Sequence, residues 1–196
     1  MDALHSRAVA ALLDVSAFEA YGISGIVSLK STIDYAKSLD LLTVALTDKP
    51  VRPDKIRVNF RGFVAPVQPG LPEDSPLREG GFDADAMTVC LPVGEKESVL
   101  LAGELERYGA GLLISAAEAE FDDALAAARN VGSESCGALL CGSCGAISDA
   151  ALRAPDVICV GLPSGFSGPE ELSAVGRNCT LTATPPCLLY TSGTPV

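Results

Sequence analysis

Apolar positions change their period several times along the chain, and each change predicts an element. Leu4, Ala8, Ala11, Val15 and Phe18 recur at helical spacing, which predicts an amphipathic helix over 3–20 that stops at Gly22. Residues 23–29 (ISGIVSL) read as a strand. Ser31 to Asp34 reads as a cap opening a short helix to Leu39, and 41–47 (LLTVALT) as a strand covered on both faces. Strand, short helix and strand in that order predict a parallel βαβ unit. Clean alternation at 55–60 (KIRVNF), with Ile56, Val58 and Phe60 on one side, predicts a half-exposed edge or antiparallel strand.

The second half alternates more regularly. Strands are expected at 87–93, 111–115, 136–142 and 156–162. Helices are expected over 97–108, after a Ser115 cap with Ala117, Phe121, Ala124, Leu125 and Ala128 on the apolar face, and over 146–154. A last helix starts at Pro169, with Ser167 and Glu170 as a capping pair, and short strands at 179–184 and 187–190 follow it. Strands alternating with helices predict an α/β fold, an open and mostly parallel sheet with helices on its faces. Residues 22–47 and 156–184 share an order of elements, so two βαβ-type modules are one reading of the chain. Between them, 66–85 holds four prolines and three glycines, too long a loop for a compact domain unless it is a linker or a flap. The expected division is an N-terminal α/β lobe over 1–65, that segment, and a C-terminal α/β lobe over 86–196 carrying cysteine- and glycine-rich loops.

Composition narrows the function classes. With 48% apolar and 20% charged residues among 196, the chain is globular. No apolar run approaches the ~18 residues of a membrane span, and Asp2 and Asp14 sit where an export signal needs basic and apolar residues, so a cytoplasmic protein off the membrane is expected. A net charge of −11 argues against nucleic acid as a partner; Lys49, Arg52, Lys55, Arg57 and Arg61 are spread along a loop and a strand instead of clustered. His5 is the single histidine, which argues against Ser-His-Asp or Cys-His catalysis.

Seven cysteines, an odd number without an export signal, are expected to be reduced. Cys136, Cys141 and Cys144 have the spacing of a plant-type [2Fe–2S] site, with Cys179 or Cys187 as the fourth thiolate. The same residues read as a strand, and an extended strand sets Cys136 about 17 Å from Cys141. A redox dithiol at Cys141 and Cys144, where a strand meets a helix N-terminus, is a second reading, with Cys144 as the reactive thiol. Small buried hydrophobes are the third.

The glycine-rich loops at 142–145 and 161–168 follow two strands joined by a short helix. Parallel neighbours put both loops on one edge, where open α/β sheets bind ligands. Ser143, Cys144, Gly145, Ser164, Gly165, Ser167 and Gly168 are therefore the expected ligand site, with the N–H groups of Gly145 and Gly168 aimed at an anion or other small molecule. Neither loop carries a nucleotide motif. The leading expectation is a small-ligand or thiol-dependent site in an accessory or cofactor-handling protein. A [2Fe–2S] electron carrier and a non-catalytic homo-oligomeric module are the alternatives.

Overall fold

A computed structural model describes residues 8–47, 52–65, 72, 74–75, 81–132, 134–165 and 169–182. Among these residues there are seven strands: β1 Ala10–Asp14, β2 Leu42–Leu46, β3 Ala86–Cys90, β4 Gly111–Ala117, β5 Cys136–Gly142, β6 Ile158–Pro163 and β7 Leu181–Thr182; the strand expected at 187–190 lies outside them. Between them run α1 Val15–Glu19, α2 Gly22–Ser38, α3 Pro53–Val64, α4 Glu95–Tyr108, α5 Phe121–Val131, α6 Cys144–Arg153 and α7 Pro169–Asn178. The strands form one sheet in chain order, β1 to β7, and every pairing is parallel. This is the α/β architecture expected from the alternation. Its winding in one direction is that of a β/α barrel, with β1 and β7 at the two ends of the sheet.

Each right-handed return to the next strand on the same side deposits its helix on the same face. The packing agrees. Leu29 and Ile33 of α2, Ile56 and Phe60 of α3, Leu101 and Leu105 of α4, Leu125 of α5, Ile147 of α6 and Val175 of α7 share one core with Ala45, Met87, Ile114, Ala138, Leu140 and Cys159 of the strands. The alternate strand positions form a second cluster, Leu113, Leu139 and Val160 with Val44, Leu46, Cys141 and Leu162, that contains no helix residue. So the sheet has a helix-covered outer face and an apolar inner face.

Three expected elements change type. Residues 10–14, placed in a helix over 3–20, are β1, and among the described residues of that span the helix is α1, beyond Asp14; 3–7 lie outside the described residues. Asp14 makes the switch: its carboxylate accepts the N–H groups of Ser16 (2.9 Å) and Ala17 (3.3 Å), an N-cap that starts a helix after an edge strand. Residues 23–29, expected as a strand, are the first half of α2, because Gly25, Leu29, Ile33 and Ala36 are buried at helical spacing. Residues 55–60 lie within α3, not in a strand. Ile56, Phe60 and Val64 make the i, i+4, i+8 stripe that is buried, Val58 points to solvent, and Pro53 opens the helix. Most of 66–85 lies outside the described residues. Its end is packed down: Phe82 stacks on Phe63 at 5.1 Å, and Lys37 donates to the Asp83 carboxylate and carbonyl at 2.8 Å.

Asp85 then ties the start of β3 to β2, accepting from the Thr43 N–H (2.8 Å) and hydroxyl (2.7 Å). At the other end of the same pair Thr47 and Thr88 exchange bonds; the Thr47 N–H donates to Thr88 Oγ1 at 2.7 Å and Thr88 Oγ1 donates to the Thr47 carbonyl at 3.0 Å. These side chains continue a ladder in which only Val44 and Ala45 pair directly with Ala86 and Met87.

Two stability outcomes follow from this packing. A Cβ at Gly161 would come 2.7 Å from Val175 Cγ1 and 3.0 Å from Ile147 Cγ2. Gly161→Ala should therefore cost about 1–3 kcal/mol in urea unfolding, as overpacking does. In the outer layer, Arg61 donates to both carboxylate oxygens of Glu104, a side chain only 8% exposed. The guanidinium, opposed by burial, holds this carboxyl below its usual range. Its contribution is present above the unfolded carboxyl value of about 4.3 and is lost as pH falls through the lower folded value. Glu104→Gln should cost about 1.5–3 kcal/mol at neutral pH, with the gap from wild type closing in unfolding curves taken at progressively more acid pH.

Candidate functional site at the carboxyl edge

All seven strands end on one edge, and the helices begin there. The two loops singled out in the sequence meet on it. β5 and β6 pair in parallel from Gly137 opposite Ile158 to Gly142 opposite Pro163. Beyond the last rung the Ser164 N–H donates to the Gly142 carbonyl at 2.9 Å, and the Cys144 thiol lies 3.7 Å from the Gly165 carbonyl. Ser143, Cys144, Gly145, Ser164 and Gly165 are thereby adjacent, while Ser167 and Gly168 lie outside the described residues. Ser143 caps α6, its hydroxyl accepting the Ala146 N–H at 3.4 Å, and a Cβ at Gly145 or Gly165 would meet nothing within 4 Å.

One residue of this edge, Glu118, is not among the expected site residues. Glu118, which reads as an acid placed to favour the helix that follows β4, turns instead to the neighbouring loop. Its carboxylate accepts the Ser143 N–H (3.2 Å) and the Ser143 hydroxyl (3.2 and 3.3 Å to its two oxygens). Gly142 leaves room for it, since a Cβ there would stand 3.0 Å from Glu118 Oε2 and 3.1 Å from Phe121 Cζ. The N-terminus of α6 is thus met by the protein's own anion. The available signal was an acid at the end of one strand and a glycine at the end of the next, and only strand order makes them neighbours.

Cys136, Cys141, Cys144 and Cys179 do not come together as an iron–sulfur site, and Cys187 lies outside the described residues. Cys136 begins β5 and packs in the outer core, Cys141 ends the strand on the inner face, Cys144 packs on the helix side, and Cys179 lies near Gly161 beneath α7. An odd separation along a strand sends two side chains to opposite faces, so Cys136 and Cys141 point apart whatever their spacing suggests. Among the described residues no three His, Cys, Asp or Glu side chains converge. Cys141 and Cys144 likewise face different layers and make no dithiol. Burial pushes the Cys136 thiol up to about 12 and the Cys159 thiol up to about 11. Burial also raises Cys141, against a hydrogen bond with Ser115.

Cys144 is half-buried at the edge, whereas Cys136 and Cys159 are buried. Mass-mapped alkylation of native protein at mildly alkaline pH should modify Cys144 at least about tenfold faster than either, because burial both hides the Cys136 and Cys159 thiols and keeps them protonated. Equal rates would show that the α6 loop does not present its thiol. Cys90 is also half-buried, so exposure does not separate it from Cys144.

No protein family and no curated protein matches the chain. Solved structures do. Leishmania donovani UMP synthase superposes with a TM-score of 0.66 at 15% identity, over 93% of this chain and 42% of that one. Plasmodium berghei orotidine 5'-monophosphate decarboxylase gives 0.62 at 10% identity, over 88% and 59%. A 3-hexulose-6-phosphate synthase gives 0.54 at 12% identity, over 96% and 92%. The chain therefore spans about three fifths of the Plasmodium protein and less than half of the Leishmania one. At these identities the likeness is one of fold, the barrel-type winding of parallel strands and outer helices.

Proposed function

We propose that the loops after β5 and β6 bind a small phosphorylated metabolite at the carboxyl edge of the sheet. The observation that carries this reading is the junction of the two glycine–serine loops, held by the Ser164 N–H on the Gly142 carbonyl. In barrels wound this way, ligand groups sit on the loops beyond the carboxyl ends of the strands. The names of the structural neighbours, a 5'-monophosphate decarboxylase and a hexulose-6-phosphate synthase, are those of proteins acting on phosphorylated molecules. Ser164, Gly165 and Gly145 supply the hydroxyl and amide donors. Glu118, already on the Ser143 N–H, repels an anion from the α6 side and directs it toward Ser164 and Gly165. Cys144 serves in this reading as a contact between the loops, not as a nucleophile.

Titration of 15N-labelled protein with inorganic phosphate and with ribose 5-phosphate tests it. Amide shifts should concentrate at Gly145, Ser164 and Gly165, with a Kd on the order of 1 mM for phosphate alone. Ser164→Asp should abolish them, and Glu118→Gln should tighten phosphate binding severalfold. Saturating shifts confined to other residues, or none at either ligand, would refute the proposal.

A further inference from the structure

The second halves of α3 and α4 lie side by side on the outer layer, toward the amino edge and away from the loops after β5 and β6. Three guanidinium groups gather there around one carboxylate. Arg57 and Arg61 stand one turn apart on α3, and Glu104, Arg107 and Tyr108 fall within one turn of α4. Arg61 binds both oxygens of Glu104, with its Nε 2.7 Å from Oε2. These hydrogen bonds hold the carboxyl below its usual range, burial opposes them, and the charges of Arg61, Arg57 and Arg107 add to the lowering. All three arginines therefore act on one carboxylate. Among the described residues, neither Arg57 nor Arg107 forms an ion pair of its own.

A basic residue in the last turn of a helix complements the macrodipole, and that accounts for Arg61 and Arg107, one on each helix. It does not account for Arg57, which is half-buried well before the end of α3. One carboxylate among three guanidiniums leaves a local positive surplus on a chain that carries −11 overall. Tyr108 adds an uncharged donor. Its ring packs on the core beneath the Arg107 guanidinium, which lies 5.5 Å from the ring centre. Its hydroxyl is closed off from solvent and has no hydrogen-bond partner. A buried donor in that state is unfavourable until an acceptor reaches it.

We infer that this cluster binds a small molecule with two oxyanion groups, a dicarboxylate or a bisphosphate, one group on Arg57 and the other on Arg107. The pair already formed shows the chemistry: Arg61 takes both oxygens of a carboxylate, and the same planar fork fits phosphate. Arg61 stays on Glu104 and keeps α3 tied to α4, so the ligand comes and goes without opening the outer layer. The Tyr108 hydroxyl donates to the group that Arg107 holds. A molecule with a single oxyanion group engages one fork and leaves the other empty.

Titration of the 15N-labelled full chain with succinate and with pyrophosphate, at constant ionic strength, tests the inference. The side-chain Nε–Hε signals of Arg57 and Arg107 should move together and saturate with a Kd below about 1 mM for one of the two. That probe should bind at least tenfold tighter than its single-group counterpart, acetate or inorganic phosphate, and its identity tells the dicarboxylate from the bisphosphate. Arg57→Gln and Arg107→Gln should each weaken binding at least tenfold at an unchanged thermal midpoint. Tyr108→Phe should weaken it severalfold with no loss of thermal stability, because the hydroxyl it removes has no partner in the free protein. Ser164→Asp, at the other edge of the sheet, should leave this binding as it is. The inference is overturned if neither probe saturates these signals, if acetate or phosphate binds as tightly, or if the arginine variants bind like the wild type.

Discussion

Parallel strands cannot be joined by a tight turn, and this constraint organises the whole molecule. Each of the six steps from β1 to β7 needs a return passage, and a helix is the shortest element that makes it with its backbone groups satisfied. Every step goes to the neighbouring strand on the same side, so every helix is laid on the same face. The sheet then has two unlike surfaces. The outer one is filled by helix side chains and tolerates little more: Gly161 exists as glycine because Val175 and Ile147 occupy the space above it. The inner one is lined by Leu113, Leu139, Val160 and their neighbours.

The same winding separates the two edges. At the amino edge the polar groups hold structure together. Asp85 ties β3 to β2 through Thr43, and Lys37 ties α2 to the Asp83 turn. At the carboxyl edge, apart from the Thr47–Thr88 pair that ties β2 to β3, they are turned toward loops and helix starts. Asp14 caps α1, Ser143 caps α6, and Glu118 reaches across from β4 to the loop after β5. A carboxylate placed on the Ser143 amide in this way supplies the negative charge that a helix start favours.

The cysteines show how an arrangement in sequence is taken apart by a strand. Cys136, Cys141 and Cys144 fall within nine residues, close enough to suggest one centre. The pleat sends Cys136 outward and Cys141 inward, and the turn into α6 returns Cys144 to the helix side. Three thiols near in sequence end in three environments. Cys136 and Cys159 act as small core hydrophobes with thiols held protonated by burial.

Much of the second half of the fold was legible from the chain alone. α4, β4, β5, α6 and β6 fall within a few residues of where apolar period and glycine turns place them, because there local preference and tertiary packing agree; the expected cap at Ser115 lies inside β4 instead. So was the adjacency of the loops after β5 and β6, since a ten-residue helix between parallel strands leaves them nowhere else to go. The first half was misread where one sequence satisfies two periods. Ile56, Val58 and Phe60 alternate like a strand, yet Ile56, Phe60 and Val64 also lie on one side of a helix, and burial of that stripe decided for α3. β-branched residues at 23–29 suggested a strand, and the burial of Leu29, Ile33 and Ala36 made a helix of it. The contact of Glu118 with Ser143 and the parting of Cys136 from Cys141 depend on which strands are neighbours and which way each residue faces. Those are properties of the assembled sheet, which no local pattern contains.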